Sequence, residues 1–258
     1  MYLEELFGLK GKVALVTGGG QGIGQVVALG LARVGAKVVI MNRTNVEDTV
    51  RMIEQEGGTA MGVKGDVTSE ADVDAAIAKV FEAYGSLDIV FNNAGICAYA
   101  KVDEMTDEEW DTMIGINLTG AFKVTRAVVP TMKLQKSGVI INNSSVMGLR
   151  GGNRLSHYVA SKWGLTGFTK SLAIELAPFG IRAVSIHPTG VNTPMNDGLA
   201  AMEGKTPEEI AEASAGNLQP VPWVEVEDVA NLVMFLASDK ARYCDGGQYL
   251  LDAGLLSV

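Results

Sequence analysis

The stretch Lys12-Val13-Ala14-Leu15-Val16-Thr17-Gly18-Gly19-Gly20-Gln21-Gly22-Ile23-Gly24 decides the fold. Its opening is a short apolar run, as expected of a parallel strand buried on both faces. The run ends in glycines, which let the backbone turn tightly and approach a ligand closely. A helical pattern over about 23–34 follows, and a pyrophosphate sits well on the N-terminus of such a helix. The spacing is Gly18-x-x-x-Gly22-x-Gly24 rather than the more widespread G-x-G-x-x-G.

Working outward, strand-like runs at 37–41, 60–64, 87–91, 139–142, 182–186 and 249–254 alternate with helical patterns. The segment 71–84 places Val73, Ala76, Ile77, Val80 and Phe81 on one helical face. A capping pattern, Thr106-Asp107-Glu108-Glu109, opens one long predicted helix that runs to about 132. The alternation predicts a single α/β domain over 1–258, a doubly wound, mainly parallel, Rossmann-like sheet. One irregular stretch, about 194–222, stands out as a small lid.

Composition narrows the function classes. The 258 residues are 47% hydrophobic and 20% charged, enough for a sizeable core. A net charge of -9 argues against a nucleic-acid partner, which needs basic patches. Cys97 and Cys244 are too few for a disulfide framework, so a reducing compartment is expected. No apolar run is long enough to span a bilayer, and the acidic start lacks a signal-peptide layout. With only His157 and His187 and no cysteine cluster, no metal site is expected. The expectation is a cytoplasmic protein.

The second informative stretch is Ser156-His157-Tyr158-Val159-Ala160-Ser161-Lys162. The helical pattern that continues it carries Leu165, Phe168, Leu172 and Leu176 and stops at Pro178. Four apart on a helix, Tyr158 and Lys162 are neighbours. A fixed cation favours the phenolate and lowers a tyrosine pKa that is otherwise near 10. The pair is then a proton donor and acceptor matched to working pH. By itself Tyr-x-x-x-Lys is a weak signal, because any helix can carry such a pair solvated.

Ser145 precedes Tyr158 by thirteen residues, Asn117 lies in Gly115-Ile116-Asn117-Leu118, and the glycine loop comes first. In that order these motifs resemble the short-chain dehydrogenase/reductase family in its single-domain form, over essentially the whole chain. The resemblance implies that Tyr158 exchanges a proton with the substrate, while Lys162 tunes it and bonds the nicotinamide ribose. It also implies that Ser145 bonds the substrate oxygen and that Asn117 shapes its helix and holds a relay water. Gly18, Gln21, Gly22, Ile23 and Gly24 are implied to cradle the pyrophosphate, and Asp66 and Val67 to hold the adenine. Asn93, Ala94 and Gly95 are implied to brace the sheet and touch the cofactor. Pro188, Gly190, Val191 and Thr193 match the segment beside the nicotinamide, with Val191 and Thr193 bonding the carboxamide. The position that marks NAD preference carries Asn42 rather than aspartate, and Arg43 follows it. An arginine there pairs with a 2'-phosphate, which favours NADP(H). The alternative is a solvated Arg43, with Asn42 bonding the diol of NAD(H).

Two departures from the family pattern are Thr189 and Ala253, where glycines are more usual. Pro188-Thr189-Gly190 is similar to carveol-dehydrogenase-like members, some of which hold NAD tightly, although their frequent insertion after the second strand is absent here. The lid carries Met195, Leu199, Met202, Ile210 and Leu218 with a single base, Lys205. Such a lid suits an apolar cyclic secondary alcohol of terpenol or hydroxysteroid type. Against that, Gly151-Gly152-Asn153-Arg154 resembles sugar-acid dehydrogenase members, with Arg154 as a carboxylate clamp. A reading of another class is a catalytically silent dinucleotide sensor or structural subunit. Family members usually form homotetramers through the helices around Ala121 and Leu165.

Overall fold

The structure, a computed structural model, describes residues 7–214 and 216–257. Seven strands form one sheet: β1 (Val13–Thr17), β2 (Lys37–Asn42), β3 (Thr59–Lys64), β4 (Ile89–Asn92), β5 (Gly138–Asn143), β6 (Ile181–Pro188) and β7 (Gln248–Leu251). Every pairing is parallel, in the order β3-β2-β1-β4-β5-β6-β7. After β3 the chain returns past β1 to lay down β4, so the order reverses between β1 and β4. A crevice opens there at the carboxyl ends of the strands.

Alternate residues of β1 feed two cores, as a strand with a period of two requires. Ala14 and Val16 pack under α1 (Gly22–Arg33), α2 (Glu47–Gln55) and α9 (Val226–Ala237). Val13 and Leu15 pack under α3 (Glu70–Tyr84), α5 (Gly120–Gln135) and α6 (Ser156–Leu176). The doubly wound parallel sheet expected from sequence is therefore the fold. The lid holds two short helices, α7 (Pro194–Glu203) and α8 (Pro207–Ser214).

Two expectations need correction. The long helix predicted from 106 to 132 is broken into α4 (Asp107–Ile114), a five-residue π-helical turn (Gly115–Thr119) and α5. Glycines flank the turn, and Gly120 packs so closely on Val67 that a Cβ would lie 2.6 Å from its methyl. The last strand ends at Leu251, because the Asp252 carboxylate accepts from the amides of Gly254 and Leu256 at 3.1 and 2.8 Å. Those local bonds draw residues 252–256 into a turn.

Candidate active site

A cavity of about 510 Å³ lies along the carboxyl ends of the strands. Every residue expected to catalyse or to hold the cofactor lines it except Gly24 and Asn117. At the β1 end its wall is mainly backbone. A Cβ on Gly18 would lie 2.9 Å from Ala94 Cα, and one on Gly20 would lie 2.2 Å from the Asn45 carbonyl. Gly24 is buried behind them, where a Cβ would lie 2.3 Å from the Gly18 carbonyl. The N-cap of α1, Gln21, makes no side-chain capping bond, so its orphan first-turn amides suit a pyrophosphate. The Asn93 amide donates to the Thr17 and Gly18 carbonyls at 3.1 and 3.2 Å, and its oxygen accepts from Asn143 at 2.9 Å. Asn93 thus pins the glycine loop to β4 and β5.

At the β2 end, Asn42 donates to the Asn45 carbonyl at 3.2 Å. Exposed Arg43 lies 3.8 Å from Asp66, whose other oxygen accepts from the amide and hydroxyl of Thr68. These bonds hold the Asp66 carboxyl below its usual range, although burial opposes them. On the far side, the Val191 carbonyl accepts from Thr193 at 3.2 Å and from Asn196 at 2.6 Å.

The four motif residues converge. Ser145 follows β5 in extended backbone and its hydroxyl accepts from the Met147 amide at 3.1 Å, leaving it on the cavity wall. Neighbouring Ser144 instead bonds the Lys162 carbonyl and Thr166, so its hydroxyl is committed to α6. Of the two hydroxyls, that of Ser145 is the one beside Tyr158. Tyr158 and Lys162 share a face of α6, with the ammonium 5.6 Å from the ring centroid. Lys162 Nζ donates to the Asn143 carbonyl at 2.7 Å. Burial lowers Lys162 to about 8. Burial also pushes the Tyr158 phenol above its ordinary value, with Cys97 adding to the rise and Ser145 opposing it. The Lys162 cation was expected to lower this phenol; in the structure burial raises it, and the opposing influence is the Ser145 hydrogen bond.

Asn117 is buried inside the π-helical turn. Its oxygen accepts from the Ile96 amide at 2.8 Å, and its nitrogen donates to the Ile96 carbonyl and Ser161 at 2.9 and 3.1 Å. The side chain therefore pins the segment after β4 against α6, and its two N–H groups are spent. A relay water would have to bond elsewhere on this turn.

Tyr158 opens onto an apolar chamber walled by Met147, Leu155, Leu199, Ile210, Trp223 and Leu255. Leu199 and Ile210 of the lid are buried and face it, and Met195 joins them. Met202 and Leu218, also expected to make the lid apolar, lie outside this wall and are more than half exposed. Arg154, expected as a carboxylate clamp, is paired with Glu203 of α7 and is absent from the wall.

The model of the short chain dehydrogenase family matches residues 12–204. The chain belongs to the short-chain dehydrogenases. It is 37% identical over 270 residues to the (-)-trans-carveol dehydrogenase of Rhodococcus erythropolis, covering 95% of this chain and 98% of that one. The structure of carveol dehydrogenase from Mycobacterium avium in complex with NAD is 32% identical and matches with a TM-score of 0.91, over 97% and 99% of the two chains. A protein assigned as an NAD(P)-dependent gluconate 5-dehydrogenase from Beutenbergia cavernae, with NADP at low occupancy, is also 32% identical. It matches with a TM-score of 0.89 over 98% of this chain and 100% of that one. As an oxidoreductase of this family, the chain has a cradle built for a nicotinamide dinucleotide.

Two residues of this short-chain dehydrogenase, Cys97 and His187, were given no place in the site by the sequence. Cys97 borders Tyr158 and Lys162, and burial pushes its thiol up to about 12, so it faces them uncharged. Its place two residues after Asn93-Ala94-Gly95 was the available signal. His187, buried, bonds the Ser145 carbonyl through Nδ1 and Ser185 through Nε2, both at 2.8 Å. Desolvation lowers its pKa, so a neutral ring backs Ser145. Thr189, the first departure from the family pattern, donates to Asn217 of the lid at 3.4 Å.

Proposed function

We propose that this enzyme interconverts a secondary alcohol and a ketone on an apolar cyclic substrate of terpenol or hydroxysteroid type. The observation that carries the reading is the cavity beside Tyr158, to which the lid brings Met195, Leu199, Ile210 and Ala211, with Asn196 and Asn217 as its polar contacts and no charged lid side chain among the described residues, while Arg154 pairs with Glu203. The bound nicotinamide supplies or accepts the hydride. Tyr158 exchanges a proton with the substrate oxygen, and the Ser145 hydroxyl bonds the same oxygen. Lys162, anchored on Asn143, holds positive charge near the phenol and is placed for the nicotinamide ribose. Asn117 acts through the segment it pins. Gly18, Gln21, Gly22 and Ile23 would hold the pyrophosphate, Asp66 and Val67 the adenine, and Pro188, Gly190, Val191 and Thr193 the nicotinamide.

NADP(H) is the favoured cofactor, because β2 ends in Asn42 rather than an aspartate and exposed Arg43 follows it on the cavity wall. NAD(H) is the alternative, supported by the likeness to an NAD-bound carveol dehydrogenase. Titration with NADH and NADPH, followed by bound-nicotinamide fluorescence, decides this. Tighter NADPH binding that Arg43→Ala abolishes supports the phosphate clamp, and tighter NADH binding overturns it. A panel of carveol, hydroxysteroids and gluconate tests the substrate, and turnover of the sugar acid alone would reject the apolar reading. The gluconate-dehydrogenase likeness favours that second reading, and Arg154→Ala separates the two: unchanged sugar-acid oxidation removes the clamp. The protein is proposed to be cytoplasmic and homotetrameric. Ala121 and Leu165 are buried, but the same helices α5 and α6 expose Phe122, Trp163 and Ile174, an apolar surface suited to a second copy.

A further inference from the structure

Three walls of the substrate chamber meet at Arg154. The first is the segment after β4, which brings the Tyr99 ring to the chamber, with the Arg154 guanidinium carbon 4.8 Å from its centroid. The second is the segment leading into α6, where the Arg154 carbonyl accepts from the Ala100 amide at 2.9 Å. The third is the lid. The Arg154 guanidinium pairs with Glu203, the last residue of α7. Arg154 also adopts a left-handed φ of +58°, a conformation unusual for a residue other than glycine. The side chains of the pair are only 33% and 25% exposed, so water screens them less than a surface pair. The start of α7 is held separately, by Asn196 donating to the Val191 carbonyl at 2.6 Å. The lid helix is thus anchored at its first turn and tied by one ion pair at its last residue.

We propose that Arg154 and Glu203 form a latch that holds the lid closed over the chamber. Arg154 is a positioning residue in this role. Its guanidinium is turned to Glu203 and the Tyr99 ring, and Arg154 does not line the cavity. When the pair separates, α7 swings on its anchored first turn and the Leu199 wall leaves Tyr158. The consequence for turnover rests on the function proposed above, but the motion of the lid does not.

Two measurements test the latch. Lys205, the only base between 194 and 222, lies two residues beyond Glu203 with its amide bonded to the Ala200 carbonyl at 3.0 Å, so trypsin cleavage there requires this end of the lid to loosen and reports opening without any substrate. Glu203→Gln and Arg154→Gln should each speed that cleavage about fivefold, the scale of a half-exposed ion pair. The double variant should be no faster than either single one, because both remove the same interaction. Raising salt to about 0.5 M should carry the wild-type rate toward the variants and leave theirs unchanged. Unchanged cleavage, or single effects that multiply in the double variant, would overturn the latch. With an alcohol the enzyme oxidises, each variant should raise KM about fivefold without lowering kcat. A fall in kcat at constant KM would place Arg154 in the chemistry and also overturn it. Should no alcohol be oxidised, the functional reading fails while the trypsin result still judges the latch.

Discussion

The nucleotide end of the cavity is walled by backbone, and the substrate end by side chains. At the first end, Gly18, Gly20 and Gly24 bring main-chain atoms together so closely that a single methyl would collide with a carbonyl or Cα. At the second, Met147, Leu199, Ile210, Trp223 and Leu255 arrive from separate segments and meet around Tyr158. A backbone wall is fixed once the glycine positions are fixed. A side-chain wall can change its lining residue by residue without disturbing the sheet. One family therefore keeps its cofactor cradle while its substrates diverge.

The sharpest way to separate the two ends is to remove the proton donor between them. Tyr158→Phe should lower turnover 10²–10⁴-fold, the usual worth of acid–base help, and leave cofactor affinity unchanged. Retention of more than about a hundredth of the rate would end the role proposed for Tyr158.

The pH profile probes the same junction more gently. Oxidation needs the phenolate and reduction needs the phenol. Burial holds the phenol above its ordinary value, so oxidation should climb up to about tenfold per pH unit through neutral pH. Reduction should stay level and then fall above about 8, where Lys162 loses its charge. An oxidation rate already flat below neutral pH would mean that the cation, not burial, governs Tyr158 once nucleotide is bound.

Gly24→Ala attacks the backbone wall alone. Its Cβ would lie 2.3 Å from the Gly18 carbonyl, and main chain cannot give way as a side-chain tip can. Nucleotide affinity should fall about tenfold and stability by about 2 kcal/mol, as overpacking usually costs. Isothermal titration and thermal melting read both. Normal affinity in the variant would show that this wall yields, and the contrast between the two ends would weaken.

Much of this contrast was legible in the sequence. Apolar runs marked every strand, and the spacing from Ser145 to Tyr158 picked out the serine whose hydroxyl lies beside Tyr158. What was not legible depends on contacts between distant segments. Within the π-helical turn the Asn117 side chain bonds the Ile96 backbone, and no local pattern announces such a partner. Arg154 read as a clamp because its partner Glu203 lies 49 positions away, inside a stretch with no clear periodicity. The Tyr158–Lys162 spacing was correct, but its electrostatic outcome depended on burial, which spacing does not encode.

The smallest effect concerns Ala253, the second departure from the family pattern. The turn that closes on Asp252 places Ala253 at a φ of +49° and Gly254 at +82°. Left-handed backbone costs an L-residue about 1–2 kcal/mol relative to glycine, while glycine loses more chain entropy on folding, worth about 0.5–1 kcal/mol. Ala253→Gly should therefore stabilise the protein by about 0.5–1 kcal/mol, a rise in Tm of about 2 °C at this chain length. The turn also places Leu255 on the chamber wall, yet Ala253 does not line the cavity itself. Turnover should be unaffected if the tail's conformation is already set by the Asp252 carboxylate. A gain in Tm accompanied by a change in KM would instead show that the strain at Ala253 helps hold Leu255 in place, making the substrate end depend on backbone after all.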